Sequence, residues 1–325
     1  MWDLQLLTFL LLLILLPTVL CRKRILQHYR CSGIASQPPS SKPKKNTRNS
    51  GRSRKIRTTR AGTPLVEPQV VQPIEVFLVV DIEATCQQGA DLNFPNEIIE
   101  FPVCLLQWKD RTPDGRAGKL EIVAEFRSYV KPSWRPLLTG FCTDLTGITQ
   151  EQVNDAPLFP QVLAQCRQFL VDNGVIDPDT ERPLARYCWC SDGPFDVRDF
   201  MVKQCFISKI SLPIWLQRDV LDVRMAVSNW LKYRTAQGAM RASGVTQHLC
   251  RGLTKRSLNI PAQLRALGLS EFEGRLHSGI DDSRNISRVI VELARRGIIL
   301  APNTTIYPRK RWSWMGKHGQ IIYHI

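Results

Sequence analysis

The chain has 325 residues, 43% of them hydrophobic and 22% charged, and a formal net charge of +15. The charge is unevenly placed. Residues 22–60 hold 13 Lys and Arg and no acid, so once Asp3 is counted the chain from 61 onward carries only +3. Ten cysteines are scattered without a C-x-x-C pair, which excludes a zinc module and points to a reducing compartment. The sequon at Asn285 falls inside a predicted helix, where a glycan would be disruptive. Together with the cysteines it speaks against secretion.

Residues 4–20, LQLLTFLLLLILLPTVL, form a run of 17 apolar or near-apolar residues, the lower limit for spanning a bilayer. No Lys or Arg precedes it, while Arg22, Lys23 and Arg24 come directly after it, so the positive-inside rule places the C-terminal side in the cytosol. The expectation is a membrane anchor over 1–20 with a cytosol-facing domain; a wholly cytoplasmic or nuclear protein is the alternative. Residues 21–72 lack any hydrophobic period and read as a disordered basic linker. Such an arm suits RNA gathering, anionic lipid or a nuclear address.

The folded part opens with VFLVVDIEATC. Val76 to Val80 read as a buried strand, and residues two apart on a strand share a face, so Asp81 and Glu83 project together. Two adjacent carboxylates repel unless a cation sits between them, and a divalent ion is the usual answer. EIIEFPVCLLQW and LEIVAEFRSYV come next as two more strands joined by the turn-rich DRTPDGRAGK. FCTDLTGITQEQV predicts a short helix, a break at Gly147 and a second helix capped by Thr149 with Gln152 at its third position. FPQVLAQCRQFLV has helical spacing of Val162, Leu163, Cys166, Phe169 and Leu170.

LARYCWCSDGPFDVRDF then gives a strand, a Gly-Pro turn and Asp196 at the start of a helix. RDVLDVR is a fifth strand. NWLKYRTAQGAMRASGVTQHLCRGLTKR, residues 229–256, is basic and weakly patterned and reads as an insertion near the substrate groove or a solvated loop. SLNIPAQLRALGL is a helix opened by Ser257. RLHSGIDDSRNISRVIVELARRG runs from a loop into a helix with apolar Ile286, Val289, Ile290 and Leu293. His277 lies before that helix and Asp282 in its first turn, so five residues of spacing let both face one point. Asp281 is explained equally well as compensation of the helix dipole. The tail 301–325 carries a basic-aromatic patch from Arg309 to Trp314, suited either to stacking on single strands or to packing back on the domain.

The order Asp81, Glu83, Asp196, His277, Asp282 resembles the DEDDh family of 3′→5′ exonucleases. DIEATC, NEIIEFPV, FCTDLTGITQEQV, SDGPFD and LHSGIDDSRNI are similar to its RNA-directed members, typified by enzymes that trim histone mRNA and short RNAs. The resemblance covers roughly residues 75–300, which sets an expected exonuclease domain at 73–300. It implies an α/β, ribonuclease-H-like fold: a central mixed β-sheet flanked by helices on both faces. It also implies four acids that bind two metals and, near the 3′-terminal nucleotide, Phe141, Leu145, Thr146 and Phe195. Phe195 stands where the subfamily usually carries Trp, and Leu276 where Pro or Ala is common.

Two metals about 3.5–4 Å apart clamp the attacking and leaving oxygens of an in-line displacement at phosphorus. Asp81 would bridge both, with Glu83, Asp196 and Asp282 completing the shells; all-oxygen ligands suit Mg²⁺ or Mn²⁺ and not zinc. His277, with a pKa near working pH, is the candidate general base. Phe141 suits sequence-tolerant stacking on a terminal base, or ordinary core packing. The expected activity is a monomeric 3′→5′ exoribonuclease acting on single-stranded or overhanging RNA ends and releasing nucleoside monophosphates. A membrane-tethered RNA-binding adaptor with an inactive nuclease fold and a general DNA/RNA exonuclease are the alternatives. RNA preference rests on the resemblance, because no single residue announces a 2′-hydroxyl contact.

Overall fold

Five apolar residues in succession at Val76–Val80 can be accommodated only by burial on both faces of a sheet, and that is where the chain puts them. In the computed structural model, which describes residues 68–241 and 258–323, this segment is the centre of the sheet. The strands are β1 (Val70–Val71), β2 (Val76–Val79), β3 (Glu83–Ala84), β4 (Ile98–Trp108), β5 (Arg116–Ala117), β6 (Leu120–Tyr129), β7 (Tyr187–Ser191) and β8 (Val220–Asp222). The helices are α1 (Gly140–Thr146), α2 (Gln150–Asn154), α3 (Phe159–Asp172), α4 (Met201–Ile207), α5 (Val223–Arg241), α6 (Ile260–Leu267) and α7 (Gly279–Arg295). A π-turn, Asp196–Phe200, leads into α4.

β2 pairs with antiparallel β4 on one side and with parallel β7 on the other; β4 continues to antiparallel β6, and β7 to parallel β8. The sheet is therefore mixed, as expected from the sequence. Alternation along β2 divides the core in two. Val76 and Leu78 face α3 and α4, in a cluster with Val162, Cys166, Leu170, Met201 and Trp189. Phe77 and Val79 face the other layer, with Cys188, Cys190, Leu264, Val289, Ile290 and Leu293. The cysteines of β7 are thus small core residues.

Several sequence expectations are corrected or completed here. The hairpin segment after Trp108 contains β5, which pairs with β1 outside the main sheet. α6 is capped by Asn259, whose side chain accepts the Ala262 N–H at 3.1 Å; Ser257, the expected opener, lies outside the described residues. The weakly patterned segment from 229 is helical as far as Arg241, because α5 runs through it; residues 242–257 lie outside the described residues. In the tail, Trp312, Trp314 and Met315 are buried in the α3/α4 core, and Thr304 bridges Val220 at the β8 edge. Packing back is what these aromatics do.

The cytosol-facing membrane anchor is also corrected. Among the described residues no helix is long and apolar enough to cross a membrane, and residues 4–20, on which the expectation rests, lie outside them. The basic linker lies outside them as well, apart from its last residues.

Two buried ions fix the chain that returns from β3 to β4. The Glu97 carboxylate accepts the backbone N–H groups of Ser133, Trp134 and Arg135 at 2.7–3.0 Å, together with the Ser133 hydroxyl. Lys203, fully buried on α4, donates to Leu92 O (2.6 Å), Phe94 O (2.9 Å) and Asn96 Oδ1 (3.0 Å). Burial lowers its pKa to about 8. Replacing it by methionine leaves three buried oxygens without their donor, so Lys203→Met should destabilise the domain by about 3 kcal/mol. Denaturant unfolding reads this directly, and an unchanged midpoint would show that the loop is held by other means.

Candidate active site

Parallel β2 and β7 end side by side, so the residues just beyond each strand meet at one edge of the sheet, where open α/β sheets place their ligands. After β2 come Asp81 and Glu83; after β7 come Asp192 and Asp196. Asp196 opens the π-turn, and its Oδ1 accepts the Ile82 N–H at 2.9 Å, which anchors it to the backbone between the two acids of β2–β3. π-turns are rare and recur at functional sites.

The remaining acid arrives with α7. The Ser278 side chain does not cap this helix. Its N-terminus is instead received by Glu100, a fully buried carboxylate on β4 that accepts Gly279 N–H at 3.1 Å and Ile280 N–H at 3.3 Å and pairs with Arg127 at 2.8 Å. Gly279 is required for this approach, since a Cβ there would stand 2.5 Å from the Asp81 carbonyl oxygen. The docking brings Asp282 to Asp81 and Glu83: ligand oxygens of these three lie within 4.8 Å of one another. His277, exposed at the end of the preceding loop, has φ +60°, and its backbone N–H is hydrogen-bonded to the Asp282 carboxylate.

Left to one another, these acids resist ionisation. Burial, then the charges of Asp196, Asp282 and Glu83, pushes Asp81 well above the usual carboxylate range. Burial and Asp282 do the same to Glu83. Burial raises Asp196 to about 7, against the opposing Ile82 N–H bond. Asp282 is raised to about 8, also chiefly by burial, and its Oδ2 is buried with no hydrogen-bond partner. A cluster of hard oxygens whose charges are mutually unfavourable, with one oxygen lacking a protein donor, fits divalent cations. His277 is shifted the other way. Partial desolvation, then the Arg275 cation, lowers its pKa, so the neutral imidazole is the form present at neutral pH.

Sequence reasoning assigns no role to three further groups at this edge: Asp192, Arg224 and Glu100. Asp192 is paired with Arg224 at 2.5 Å, accepts from Gln263, and raises the pKa of Asp81, Asp196 and Asp282 through its charge. Asp192 and Glu100 do lie inside the quoted segments SDGPFD and NEIIEFPV, but nothing local in either marks them. The nucleotide-side residues are placed as follows. Phe141 and Leu145 are half-buried on α1. Thr146 is buried, and its hydroxyl is committed to Cys142 O (2.8 Å) and Ile148 N (3.2 Å). Phe195 is half-buried under the Arg198 guanidinium, 5.1 Å from the ring centroid, and its ring edge lies 3.1 Å from where a Cβ on Gly193 would be.

This arrangement is shared with known nucleases. The exonuclease family (RNase_T) matches residues 78–290. The 3′-5′ exonuclease eri1 of Schizosaccharomyces pombe is 31% identical over 264 residues, covering 76% of this chain and 75% of that protein. Human 3′-5′ exoribonuclease 1 is 33% identical over 236 residues, 72% of this chain but only 56% of its own length. Among solved structures, the nuclease domain of 3′hExo, a DEDDh family member bound to rAMP, is similar with a TM-score of 0.57 at 30% identity, over 73% of this chain and all of that domain. A 3′-exonuclease recognising the 3′ end of a histone mRNA stem-loop gives a TM-score of 0.58 at 30% identity, over 73% of this chain and 69% of that one. With the acids of β2, β7 and α7 gathered at one sheet edge and this extent of similarity, the chain belongs to the exonuclease family, among the 3′→5′ exoribonucleases of the DEDDh type.

Proposed function

We propose that this chain hydrolyses RNA from the 3′ end, one nucleoside 5′-monophosphate at a time, with Asp81, Glu83, Asp196 and Asp282 holding two divalent cations. The observation that carries this reading is the convergence of Asp81, Glu83 and Asp282 within 4.8 Å, with Asp196 bonded to the backbone between the first two. Mg²⁺ or Mn²⁺ suits the all-oxygen set. When bound, the cations supply charge neutralisation at the phosphate and a more acidic attacking water.

His277 acts on that water. Its lowered pKa keeps a ring nitrogen free to take a proton at neutral pH, and the backbone bond to Asp282 sets it beside the acids. α1 offers Phe141 and Leu145 to the terminal nucleotide, and Phe195 borders Asp196 from the β7 side. Thr146 contributes through its backbone turn, since its hydroxyl is already engaged. The preference for RNA over DNA is supported by the names of the relatives, which are exoribonucleases. The domain over 73–300 would be completed by the tail that packs into its core, and the basic arm of 21–72 would gather RNA by its charge.

A 5′-labelled single-stranded RNA and its DNA counterpart, given to the full chain with Mg²⁺ or chelator, test this. RNA should shorten from its 3′ end only with metal. Asp81→Ala should abolish shortening, and His277→Ala should lower kcat about 10²–10⁴-fold. Equal shortening of DNA would make the protein a general exonuclease. Bound but intact RNA would leave an adaptor.

The raised carboxylates give a second test that needs no turnover. In the metal-free protein these acids keep protons that the unfolded chain releases above about pH 4. Their contribution to stability is therefore complete below that pH and falls away as pH rises towards ~8, where Asp282 ionises. Divalent cations relieve the repulsion, so Mg²⁺ should raise the melting temperature more at pH 8 than at pH 6. Asp81→Ala should lose the effect. A shift independent of pH would place the bound cation elsewhere.

A further inference from the structure

The guanidinium of Arg275 does an unusual job for an exposed cation. Among the described residues it makes no ion pair to a carboxylate. Its Nη2 donates to Asp144 O and Leu145 O, both at 3.0 Å, at the C-terminal end of α1. Its Nη1 donates to His277 O at 3.2 Å and more weakly to Leu276 O at 3.4 Å. Its own backbone N–H is held by Asp281 Oδ2 at 3.0 Å. The planar group lies against Gly147, where a Cβ would stand 2.8 Å from Cζ. One side chain thus ties together two segments 130 residues apart.

What it ties is informative. His277 has φ +60°, a left-handed backbone uncommon for a residue with a side chain. The carbonyl just after that φ is the one Arg275 grips. The other end of the fork binds the last carbonyls of α1, which has no basic residue in its own last turn. A planar fork with five donors reaches carbonyls on two sides at once; the compact ammonium of lysine does not.

We propose that Arg275 is a positioning residue that sets His277 in register with α1, the guanidinium using the carbonyl end of that helix as a fixed seat from which it holds the proton acceptor. The proposal rests on the general-base role given to His277 above. The Gly147 turn, with its own backbone bond to Thr143, keeps α1 closed without Arg275. Loss of the guanidinium therefore acts on the histidine loop and on kcat, and only weakly on KM.

The test is a double-mutant cycle in the full chain, using 5′-labelled single-stranded RNA and Mg²⁺. Arg275→Met should lower kcat about 10–100-fold, the scale of a misplaced catalytic group, with KM within about threefold and the melting temperature near wild type because the side chain is exposed. Arg275→Lys should not restore the rate. In a His277→Ala background, Arg275→Met should cost less than about threefold more, because groups acting as a unit are not additive. Additive losses, or wild-type kcat in Arg275→Lys, would overturn the proposal. Should Arg275→Met fail to fold, Arg275→Gln removes the planar fork and the charge, keeps an amide donor and leaves the left-handed Gly147 turn untouched. It must then show the same kcat loss and the same non-additivity, or the proposal falls. Wild-type kcat in His277→Ala alone would instead overturn the general-base reading, which the cycle reports separately.

Discussion

A helix N-terminus held by a buried carboxylate is the constraint on which the site depends. Glu100 lies on β4 opposite Tyr129 and across from Glu83 in β3, with no exposure. A carboxylate so placed needs donors, and α7 brings them in the first two N–H groups of its opening turn. Arg127 supplies a third. The helix can approach this closely only because residue 279 has no side chain to meet the Asp81 carbonyl. From that seat the helical repeat sets Asp282 one turn on, and the incoming loop leaves His277 beside it. The acid of one chain segment thus fixes where Asp282 of another meets Asp81 and Glu83.

The same arrangement is electrostatically unfavourable, and the scaffold around it compensates. Asp81, Glu83, Asp196 and Asp282 each have a raised pKa, and for each of them burial is the largest cause. Away from the cluster, the buried Glu97 and Lys203 find their partners. Glu97 accepts from three consecutive N–H groups, Lys203 from α4 clamps the loop between β3 and β4, and the tail inserts Trp312 and Trp314 behind α4. Unfavourable charge concentrated where chemistry is proposed, beside scaffold ions such as Glu97 and Lys203 that are paired, is the distribution expected of an enzyme active site.

How much of this is legible in the chain depends on how local its cause is. The buried run Val76–Val80, the Thr149–Gln152 capping box and the apolar stripe of Ile286, Val289, Ile290 and Leu293 are decided within a few residues, and all are found as expected. The fold comes from a resemblance carried by short motifs. The features that stay hidden are decided at long range. Glu100 reads as an ordinary charged interruption in a strand until α7 is seen to end on it. The turns of α5 beyond residue 229 lack a strong apolar stripe, so nothing local separates that helix from a loop. α6 opens at Asn259, a residue type that suits a cap as well as serine does, so nothing local picks it over Ser257. The tail aromatics offer stacking or packing with equal force, and burial decides.

Arg224 shows why dissolved cations are the natural partners of this edge. It is close enough to the acids for Asp81 to raise its pKa, yet its guanidinium is locked to Asp192 on both the carboxylate and the carbonyl. That pair is nearly neutral by itself and leaves the charge of Asp81, Glu83, Asp196 and Asp282 uncompensated. A lysine or arginine aimed into the cluster would settle the charge permanently and would also occupy the place of the phosphate. Exchangeable divalent ions would settle it without a fixed side chain standing in that place. The fold therefore keeps its fixed cations one step back, Arg224 on Asp192 and Arg127 on Glu100, where they orient the elements that carry the acids without neutralising the acids themselves.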